Sequence, residues 1–540
     1  MEKIAWGSAI CLVAMLALFP DFSSDHLVLG NDLAFHLNRI EGLKEGLLAG
    51  QFPVRINPVQ LGGYGMPSSI FYPDTFLYIP AILRLLGVSL AASWKAFLLA
   101  SSLMTAASSW WAFSAYTRSL RTGAIATLFY LASLYRLIAM YLTAGAGMLL
   151  GMAFFPAAVL SVWLTLHRKS SYWPSAVFFT TCLLQSHILT SILYLLFVLI
   201  MVVISCKRFF VKDVRRAACK ASGFIFFLNL WFYAPLLYFY QHMDYVMKST
   251  TRDGIQIVTF PLLEVGGYMG SGMLAILIIL VVAAACRRWK PPFQFWELLL
   301  LSAGFLWLMS SSTPWEGWLG QVFSFLQFPV RFVVFPTMFL SLAMAIGLSH
   351  LRRSWGIFLC VLLCLGGNFL WLFGSPYAVP QNTLVAARTG SAKDLQLVTA
   401  VGTGARDYMD RSVSEQLPTD DDMQRKVADT AIHPDDRIVD VRRQGTDFVI
   451  QYAVGGEEQI QLPLFWYTGY AAEIAEGTGN VFVRKDADGQ VSISLPSSAG
   501  TVHVWYRGLP WFRILDCTSC LALLFFLYAG WREKNRKERN

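Results

Sequence analysis

Residues 4–19 read IAWGSAICLVAMLALF, an apolar run that follows directly after Lys3. A run of this length predicts a first membrane-spanning helix. A full crossing needs about 20 residues, so the ends of this helix are expected to reach into the interface. The run does not end in a small-residue cleavage signature, and we therefore expect an uncleaved helix with a cytoplasmic N-terminus.

Eleven more apolar runs follow along the chain. They cover residues 93–116, 121–138, 147–166, 172–187, 188–206, 221–240, 268–286, 295–312, 329–349, 355–373 and 512–530. Most lysines and arginines between them lie in alternate short loops, which is typical of cytoplasmic loops. The pattern predicts a mainly α, polytopic membrane protein with about twelve transmembrane helices. We expect it in a bacterial inner membrane, with both termini in the cytoplasm.

The composition supports this class. Hydrophobic residues make up 56% of the chain and charged residues 14%, whereas soluble domains carry about 25% charged residues. The net charge of +9 is unevenly placed: residues 375–510 contain 18 acidic and 12 basic side chains, and the remainder contains 16 acidic and 31 basic ones. The positive charge therefore follows the loops of a membrane protein and does not indicate a nucleic-acid partner.

Residues 375–510 differ from the rest of the chain, because short alternating runs are separated there by glycine-containing turns. These runs cover residues 448–452, 459–464, 480–484, 491–495 and 501–506. They predict a β-rich domain built as a small sandwich. The expected organisation is a membrane module at 1–374 with a first extracytoplasmic loop at 21–92, a periplasmic or extracellular domain at 375–510, and a last helix with a basic cytoplasmic tail at 511–540.

The first loop carries the strongest candidates for chemistry. Asp32 and His36 are four residues apart, so a helix that begins at Asp32 places both on one face. Aspartate is a common helix cap, and it can also act as a general base towards a sugar hydroxyl. The residues alone leave both interpretations of Asp32 open, and His36 is the candidate that would assist it in catalysis.

The same loop contains further polar side chains at the expected membrane surface, namely Arg39, Arg55, Tyr64, Tyr72 and Asp74. Guanidinium groups match the oxygens of a phosphate, and glycine-containing turns let the backbone approach a ligand closely. We therefore predict that these residues bind a phosphate-linked sugar. For Arg39, contact with lipid head groups is the alternative.

Three positions outside the loop complete the predicted substrate site. His187 lies at a tight turn between two spans, where a histidine is expected to point into the bundle or a wet cavity, or else to cap a helix. Arg331 begins a span and is predicted to hold a lipid phosphate, with snorkelling to the interface as the alternative. Trp315 can stack on a sugar or belong to an aromatic belt.

Motifs for other chemistries are missing from the sequence. It contains no Walker A motif, so we expect no direct use of ATP, and no His-Glu-x-x-His motif or Cys/His cluster of the kind that binds zinc. A single aspartate is a small ligand set for a divalent metal. We therefore expect no cofactor, with a weakly held divalent cation at Asp32 as the alternative.

Six short motifs occur in order along the chain. They read DLAFHLNRI at 32–40, GQFPVR at 50–55, GYGMP at 63–67, IFYP at 70–73, SHILT at 186–190 and QFPVRF at 327–332. Together with weaker matches at 407–408 and 462–469, they resemble the bacterial YfhO-like and "6-pyruvoyl-tetrahydropterin synthase-related" membrane proteins over most of the chain.

The resemblance implies a place in the GT-C glycosyltransferase superfamily, whose catalytic acid lies in the first outside loop, where Asp32 stands. It makes Asp32 the leading catalytic base. Family members often carry an arginine and a glutamate in the segment that matches residues 141–155, and this chain has neither there.

The resulting prediction is a membrane glycosyltransferase that takes a sugar from a polyprenyl-phosphate donor. The acceptor is a glycan or lipid on the extracytoplasmic side, in cell-envelope or exopolysaccharide biosynthesis. Expected partners are the lipid-linked sugar, the acceptor, the membrane and other envelope polysaccharide proteins. The alternatives are a lipid-linked glycan transporter or flippase, and a non-catalytic component of exopolysaccharide assembly.

Overall fold

The computed structural model describes residues 2–23, 26–246, 257–326, 328–351, 354–374, 384–386, 406–417, 419–428, 437–453 and 459–539. The α-helices are α1 (Glu2–Leu16), α2 (Phe19–Phe22), α3 (Leu33–Leu48), α4 (Ser68–Phe71), α5 (Tyr78–Leu85), α6 (Leu90–Thr117), α7 (Leu120–Leu131), α8 (Leu134–Leu137), α9 (Ala146–His167), α10 (Trp173–Leu184), α11 (Ile188–Ile204), α12 (Lys212–His242), α13 (Leu262–Gly267), α14 (Ser271–Ala285), α15 (Phe293–Met309), α16 (Trp318–Val322), α17 (Val334–Leu348), α18 (Ser354–Gly374), α19 (Arg411–Gln416), α20 (Asp420–Ala428) and α21 (Pro510–Arg539).

The helices confirm a multi-pass membrane protein. Within the described residues, six helices are long and apolar enough to cross a membrane: Leu90–Thr117, Ala146–His167, Lys212–His242, Pro329–Leu348, Ser354–Gly374 and Pro510–Arg532. The bent pair Leu120–Leu131 and Leu134–Leu142 gives a seventh if it is counted as one span, and α11, α14 and α15 are apolar but shorter. Every run predicted as a span contains a helix, but the count of twelve crossings is not confirmed.

The predicted span at 121–138 is broken rather than straight. Its two parts are bent by 47°, and the second part continues into a π-helix, Ile138–Leu142. Arg136 is buried beside the break; its Nη2 donates to the Ser102 hydroxyl (2.6 Å), and its Nη1 lies 3.5 Å from the Leu131 carbonyl. A carbonyl at a helix end has no partner within its helix, so a buried donor stabilises the break.

Several basic loops lie together at one end of the bundle. Arg121 donates to the Leu351 carbonyl, and Arg168 lies 3.5 Å from the Tyr116 carbonyl. The start of α9 packs at the opposite end, against the first loop. With 22 residues, α9 separates the two ends by roughly 33 Å. The grouping agrees with the predicted alternation of loops, while assignment of the basic end to the cytoplasm stays a prediction.

The strands are β1 (His26–Val28), β2 (Leu384–Ala386), β3 (Ile438–Gln444), β4 (Asp447–Tyr452), β5 (Gln459–Phe465), β6 (Tyr470–Glu476), β7 (Phe482–Lys485), β8 (Gln490–Ser494) and β9 (Gly500–Tyr506). They form a β1-β2 pair, a sheet of order β3-β4-β9-β6 and a sheet of order β5-β8-β7. Strands are found at all five predicted runs, whereas β1, β2, β3 and β6 were not predicted. The two larger sheets share one hydrophobic core, as expected for a small sandwich.

This β-rich region packs directly on the first loop. The Phe465 N–H donates to the Tyr64 carbonyl (2.9 Å), and the two rings lie 4.8 Å apart between centroids. Gln444 donates from Nε2 to the Leu48 carbonyl at the end of α3 (2.8 Å). The first loop therefore lies between the helical bundle and the sheets.

Candidate functional site

Asp32 occupies the N-cap position, directly before α3, but its side chain does not cap the helix. Its side chain makes no capping hydrogen bond, so the structure decides against the capping alternative. The backbone is held instead: the Asp32 N–H donates to the Thr143 carbonyl (2.8 Å), and the Asn31 N–H donates to the Leu142 carbonyl (3.0 Å). A Cβ at Gly30 would lie 2.6 Å from the Ala144 Cβ, so only glycine permits this close approach. The loop thus presents Asp32 with its carboxylate free of the helix.

The Asp32 carboxylate is accessible but set among protein atoms and charged groups. Its residue is exposed, yet desolvation by the surrounding protein raises its pKa above the usual value of 3.8. Arg331 opposes this shift and Asp407 adds to it. An accessible carboxylate with a raised pKa, flanked by a cation and a second carboxylate, is a candidate functional group. We call Asp32, Tyr72, His187, Arg331 and Asp407 the Asp32 cluster.

Arg331 lies at the start of the Pro329–Leu348 span and contributes the positive charge of the Asp32 cluster. Its guanidinium donates from Nη1 to the Leu326 carbonyl (2.6 Å) and lies 5.5 Å from the centre of the Phe328 ring. Its charge interacts with Asp32 and Tyr72. The residue is half-buried, and its guanidinium gives the cluster a positive charge.

His187 and Tyr72 line the same cluster. Their rings lie 6.1 Å apart. Nδ1 of His187 accepts from the Thr190 backbone N–H (3.4 Å) at the start of α11 and lies 2.8 Å from the Thr190 hydroxyl. His187 therefore caps this helix, as its alternative predicted. Burial and then the Arg331 charge lower the pKa of His187 to about 3, while burial raises the pKa of Tyr72 to about 12. Both side chains are neutral at physiological pH.

Glycine at the start of α9 brings that helix against the cluster. A Cβ at Gly147 would lie 2.6 Å from the Tyr72 hydroxyl and 3.0 Å from the Ser186 carbonyl. The start of α9 therefore packs tightly against the first loop and the turn before α11 through a small residue.

Arg39 and Asp74 form a buried ion pair next to the cluster, with 1% and 4% of their side chains exposed. Arg39 donates from Nε to Asp74 Oδ1 (2.9 Å) and from Nη2 to the Pro73 carbonyl (2.8 Å), and its guanidinium lies 4.2 Å from the Tyr72 ring centre. Nη1 lies 3.0 Å from Nδ1 of His36. A guanidinium can only donate, so Nδ1 is the acceptor and the proton of His36 sits on Nε2.

In this network, three predicted site residues, His36, Arg39 and Asp74, bind one another. The accepting nitrogen of His36 is occupied, and burial followed by the Arg39 charge lowers its pKa well below 6.5. His36 is therefore a poor proton acceptor in this arrangement, and Arg39 is matched by Asp74. The three residues orient α3 and the Tyr72 ring.

We expect replacement of Arg39 by methionine to lower the free energy of unfolding by about 3–5 kcal/mol, because it leaves the Asp74 carboxylate buried without its cation. Thermal unfolding of the purified protein in detergent measures this loss. Lys44→Met is the matched control, since the ion pairs of Lys44 with Glu41 and Glu45 are more exposed and worth about 1 kcal/mol or less. Equal stability of the two variants would contradict a structural role for Arg39.

Three other predicted residues lie away from the Asp32 cluster. Arg55 pairs with Asp516 on α21 (2.6 Å) and donates to the Trp231 carbonyl (2.9 Å). Tyr64 packs on Phe465 of the β-rich region. The buried Trp315 donates from its indole nitrogen to the Leu308 carbonyl (3.1 Å). The structure does not bring these side chains together with Asp32.

Asp407 is the group that sequence reasoning did not select. It lies in the 3-10 turn Arg406–Tyr408, and burial raises its pKa. Its neighbour Tyr408 stacks on Phe71, with ring centroids 5.2 Å apart and planes within 11°. The weak match at 407–408 was the available signal. The region after the bundle therefore contributes a carboxylate to the cluster.

A metal site is not evident in the described part of the chain, where no group of three or more His, Cys, Asp or Glu residues is positioned to hold an ion. Asp32 and Asp407 are the carboxylates of the cluster that a weakly held cation would contact. The expectation of no cofactor stays a prediction.

No family model matches the chain, and no curated protein matches it. Three solved structures are similar. The arabinofuranosyltransferase AftD from Mycobacteria is 15% identical with a TM-score of 0.44, over 72% of this chain and 28% of AftD. ArnT from Cupriavidus metallidurans, solved with undecaprenyl phosphate, is 14% identical with a TM-score of 0.43, over 78% of this chain and 73% of ArnT. The Archaeoglobus fulgidus oligosaccharyltransferase in its apo form is 12% identical with a TM-score of 0.38, over 79% of this chain and 60% of that protein.

These likenesses are too low to establish a family or an activity for this chain. The chain spans only 28% of AftD and 60% of the oligosaccharyltransferase. The YfhO-like resemblance is not confirmed. Inferences about activity therefore depend on the Asp32 cluster itself.

Proposed function

We propose that this protein is a membrane glycosyltransferase that transfers a sugar from a polyprenyl-phosphate donor to a hydroxyl acceptor. The observation that carries the proposal is the Asp32 carboxylate, which is accessible, does not cap its helix and has the Arg331 charge beside it. A base and a phosphate-binding cation are the two groups that such a transfer needs.

In the proposed reaction, the acceptor oxygen attacks the anomeric carbon of the donor sugar while Asp32 takes the hydroxyl proton. The bond between the anomeric carbon and the phosphate oxygen breaks on the opposite face, so the anomeric configuration is inverted. The bonding electrons leave with the polyprenyl phosphate, whose added negative charge Arg331 stabilises. The neutral His187 and Tyr72 rings form the walls of the site.

The surrounding structure supports the location of this chemistry. The cluster lies at the start of α9, and the basic Arg168 follows the other end of this helix. We assign the end with the cluster to the extracytoplasmic side of a bacterial inner membrane, and both chain termini to the cytoplasm. The β-rich region, which brings Asp407, binds the glycan or lipid acceptor or an envelope polysaccharide partner. Cell-envelope or exopolysaccharide biosynthesis is the proposed setting.

The pH dependence of kcat/KM tests whether Asp32 is the base and whether Asp407 raises its pKa. Asp32 acts only when deprotonated, so activity is expected to fall as the pH drops through its raised pKa. Asp407 contributes to that rise, and Asp407→Asn should move the acid limb to lower pH. Asp410→Asn is the control, because Asp410 pairs with Lys485 and is not among the charges that shift the pKa of Asp32. An acid limb that stays in place or moves upward in Asp407→Asn would contradict this assignment.

A transporter or flippase is the alternative that the membrane bundle permits, and one experiment separates it from an enzyme. Protein in sealed vesicles is supplied with a panel of radiolabelled polyprenyl-phosphate sugars and with sugar acceptors. The proposal predicts release of polyprenyl phosphate without movement of intact donor across the bilayer. Movement of intact donor without release would overturn the proposal in favour of transport, and neither event would favour an assembly component.

A further inference from the structure

A second charged site lies on the side of the molecule where the last helix begins. A small cavity opens there between the first loop, the end of β9 and the start of α21. Its lining includes Gln51, Arg55, Arg507, Arg513 and Asp516. Three arginines face one carboxylate, so the cavity carries an excess of positive charge. Its residues are different from those of the Asp32 cluster.

The three arginines are held in different ways. Arg55 is buried and fixed by Asp516 and by the Trp231 carbonyl. Arg513 donates to the Phe52 carbonyl. Burial lowers the pKa of Arg55, the Asp516 charge opposes this shift, and the Arg513 charge adds to it. Among the described residues, the exposed Arg507 guanidinium makes no hydrogen bond or ion pair. Asp516 thus balances Arg55 and leaves the positive charge of Arg507 and Arg513 uncompensated.

The position of the cavity indicates what kind of anion it meets. Arg513 and Asp516 are in the first turns of the apolar span Pro510–Arg532, at its junction with the β-rich region. Two large apolar side chains beside the cavity are exposed, Phe52 at 63% and Ile514 at 65%. Oxyanions of lipid head groups lie at this depth, with their acyl chains alongside such apolar residues.

One acceptor in the cavity is also unused. The Gln51 Nε2 donates to the Thr446 hydroxyl (2.5 Å), whereas its buried Oε1 has no hydrogen-bond partner. A buried acceptor without a donor costs about 1–3 kcal/mol. A head group that offers hydroxyls as well as a phosphate would satisfy both the amide oxygen and the arginines.

We propose that this cavity binds the phosphate of an anionic membrane lipid, separately from the Asp32 cluster. The phosphate contacts Arg507 and Arg513, a head-group hydroxyl donates to Gln51 Oε1, and the acyl chains lie beside Phe52 and Ile514. The Arg55–Asp516 pair holds the first loop to the last helix below the head group. The bound lipid therefore connects the first loop, the β-rich region and the last helix at the membrane surface.

The test uses the full-length protein in nanodiscs of phosphatidylcholine alone or with phosphatidylglycerol, followed by thermal unfolding and by counting retained lipids in native mass spectrometry. We expect phosphatidylglycerol to raise the unfolding temperature of the wild type and to remain bound. In the double variant Arg507→Gln/Arg513→Gln, the affinity for phosphatidylglycerol should fall about 30-fold, because each arginine near the membrane surface contributes about a factor of five to the binding constant.

The matched control is Arg425→Gln/Arg442→Gln, which removes two exposed arginines of the same region, at 77% and 84% side-chain exposure. It should behave as the wild type does. An equal response of the Arg507→Gln/Arg513→Gln variant to phosphatidylglycerol would overturn the proposal. A response of the wild type to inorganic phosphate in phosphatidylcholine discs, equal to its response to phosphatidylglycerol, would overturn the assignment to a lipid.

Discussion

Asp32→Asn is expected to lower kcat for sugar transfer by about 10³-fold, because general-base catalysis typically contributes 10²- to 10⁴-fold. Asparagine has the shape of aspartate but cannot take a proton at neutral pH. It is also a favoured residue at the N-cap position, so α3 should form in the variant. The turnover number at saturating donor, with the purified protein in nanodiscs, measures the effect.

Two comparisons make the Asp32 result specific. Glu45→Gln removes an acidic residue of the same helix that pairs with Lys44 and should retain the wild-type kcat. The thermal unfolding temperature of Asp32→Asn should stay close to that of the wild type, because its side chain caps nothing. A kcat within about threefold of the wild type would show that Asp32 is not the base, since the base is expected to contribute at least 10²-fold.

Arg331→Gln is expected to lower kcat/KM for the donor by about 10²-fold. A hydrogen bond to a charged group contributes about 1.5–3 kcal/mol, which corresponds to a factor of about 10 to 150. The loss should appear in KM as well as in kcat, because the donor phosphate is charged both before and during the reaction. The kcat/KM of Arg331→Lys should lie between those of the wild type and Arg331→Gln, because lysine keeps the positive charge but lacks the fork geometry of the guanidinium.

The pH profile of Arg331→Gln provides a second readout. Arg331 lowers the pKa of Asp32, so its removal should move the acid limb of kcat/KM to higher pH, opposite to the effect of Asp407→Asn. Arg121→Gln is the matched control, because Arg121 also donates to a backbone carbonyl but at the other end of the bundle. An unchanged profile and an unchanged KM in Arg331→Gln would remove Arg331 from the site.

The sequence predicted the helical segments well because apolar runs bounded by charged loops are a strong local signal. It did not predict the break between α7 and α8, since both sides of the break are apolar and Arg136 appeared as one charge inside a run. Strands β3 and β6 were missed for another reason. The first contains an aspartate and two arginines, and the second contains three alanines and two glutamates. Alanine and most of these charged residues are depleted in strands.

The candidate site was predicted in part. The first loop and Arg331 were recognisable because polar side chains are unusual beside apolar spans. The pairing of Arg39 with Asp74 and the distance of Arg55 from Asp32 depend on how the loop folds between the bundle and the sheets. Asp407 is 375 positions after Asp32 in the chain, and no local pattern connects two residues so far apart.

The role of Asp32 as the base is tested by measuring donor binding and donor turnover together, in wild-type and Asp32→Asn protein. Both proteins, in nanodiscs of the same lipid, receive one radiolabelled polyprenyl-phosphate sugar and an acceptor. If Asp32 is the base, both proteins bind the donor with similar affinity and only the wild type releases polyprenyl phosphate. Equal release by the two proteins, or binding of the donor by neither, would contradict it.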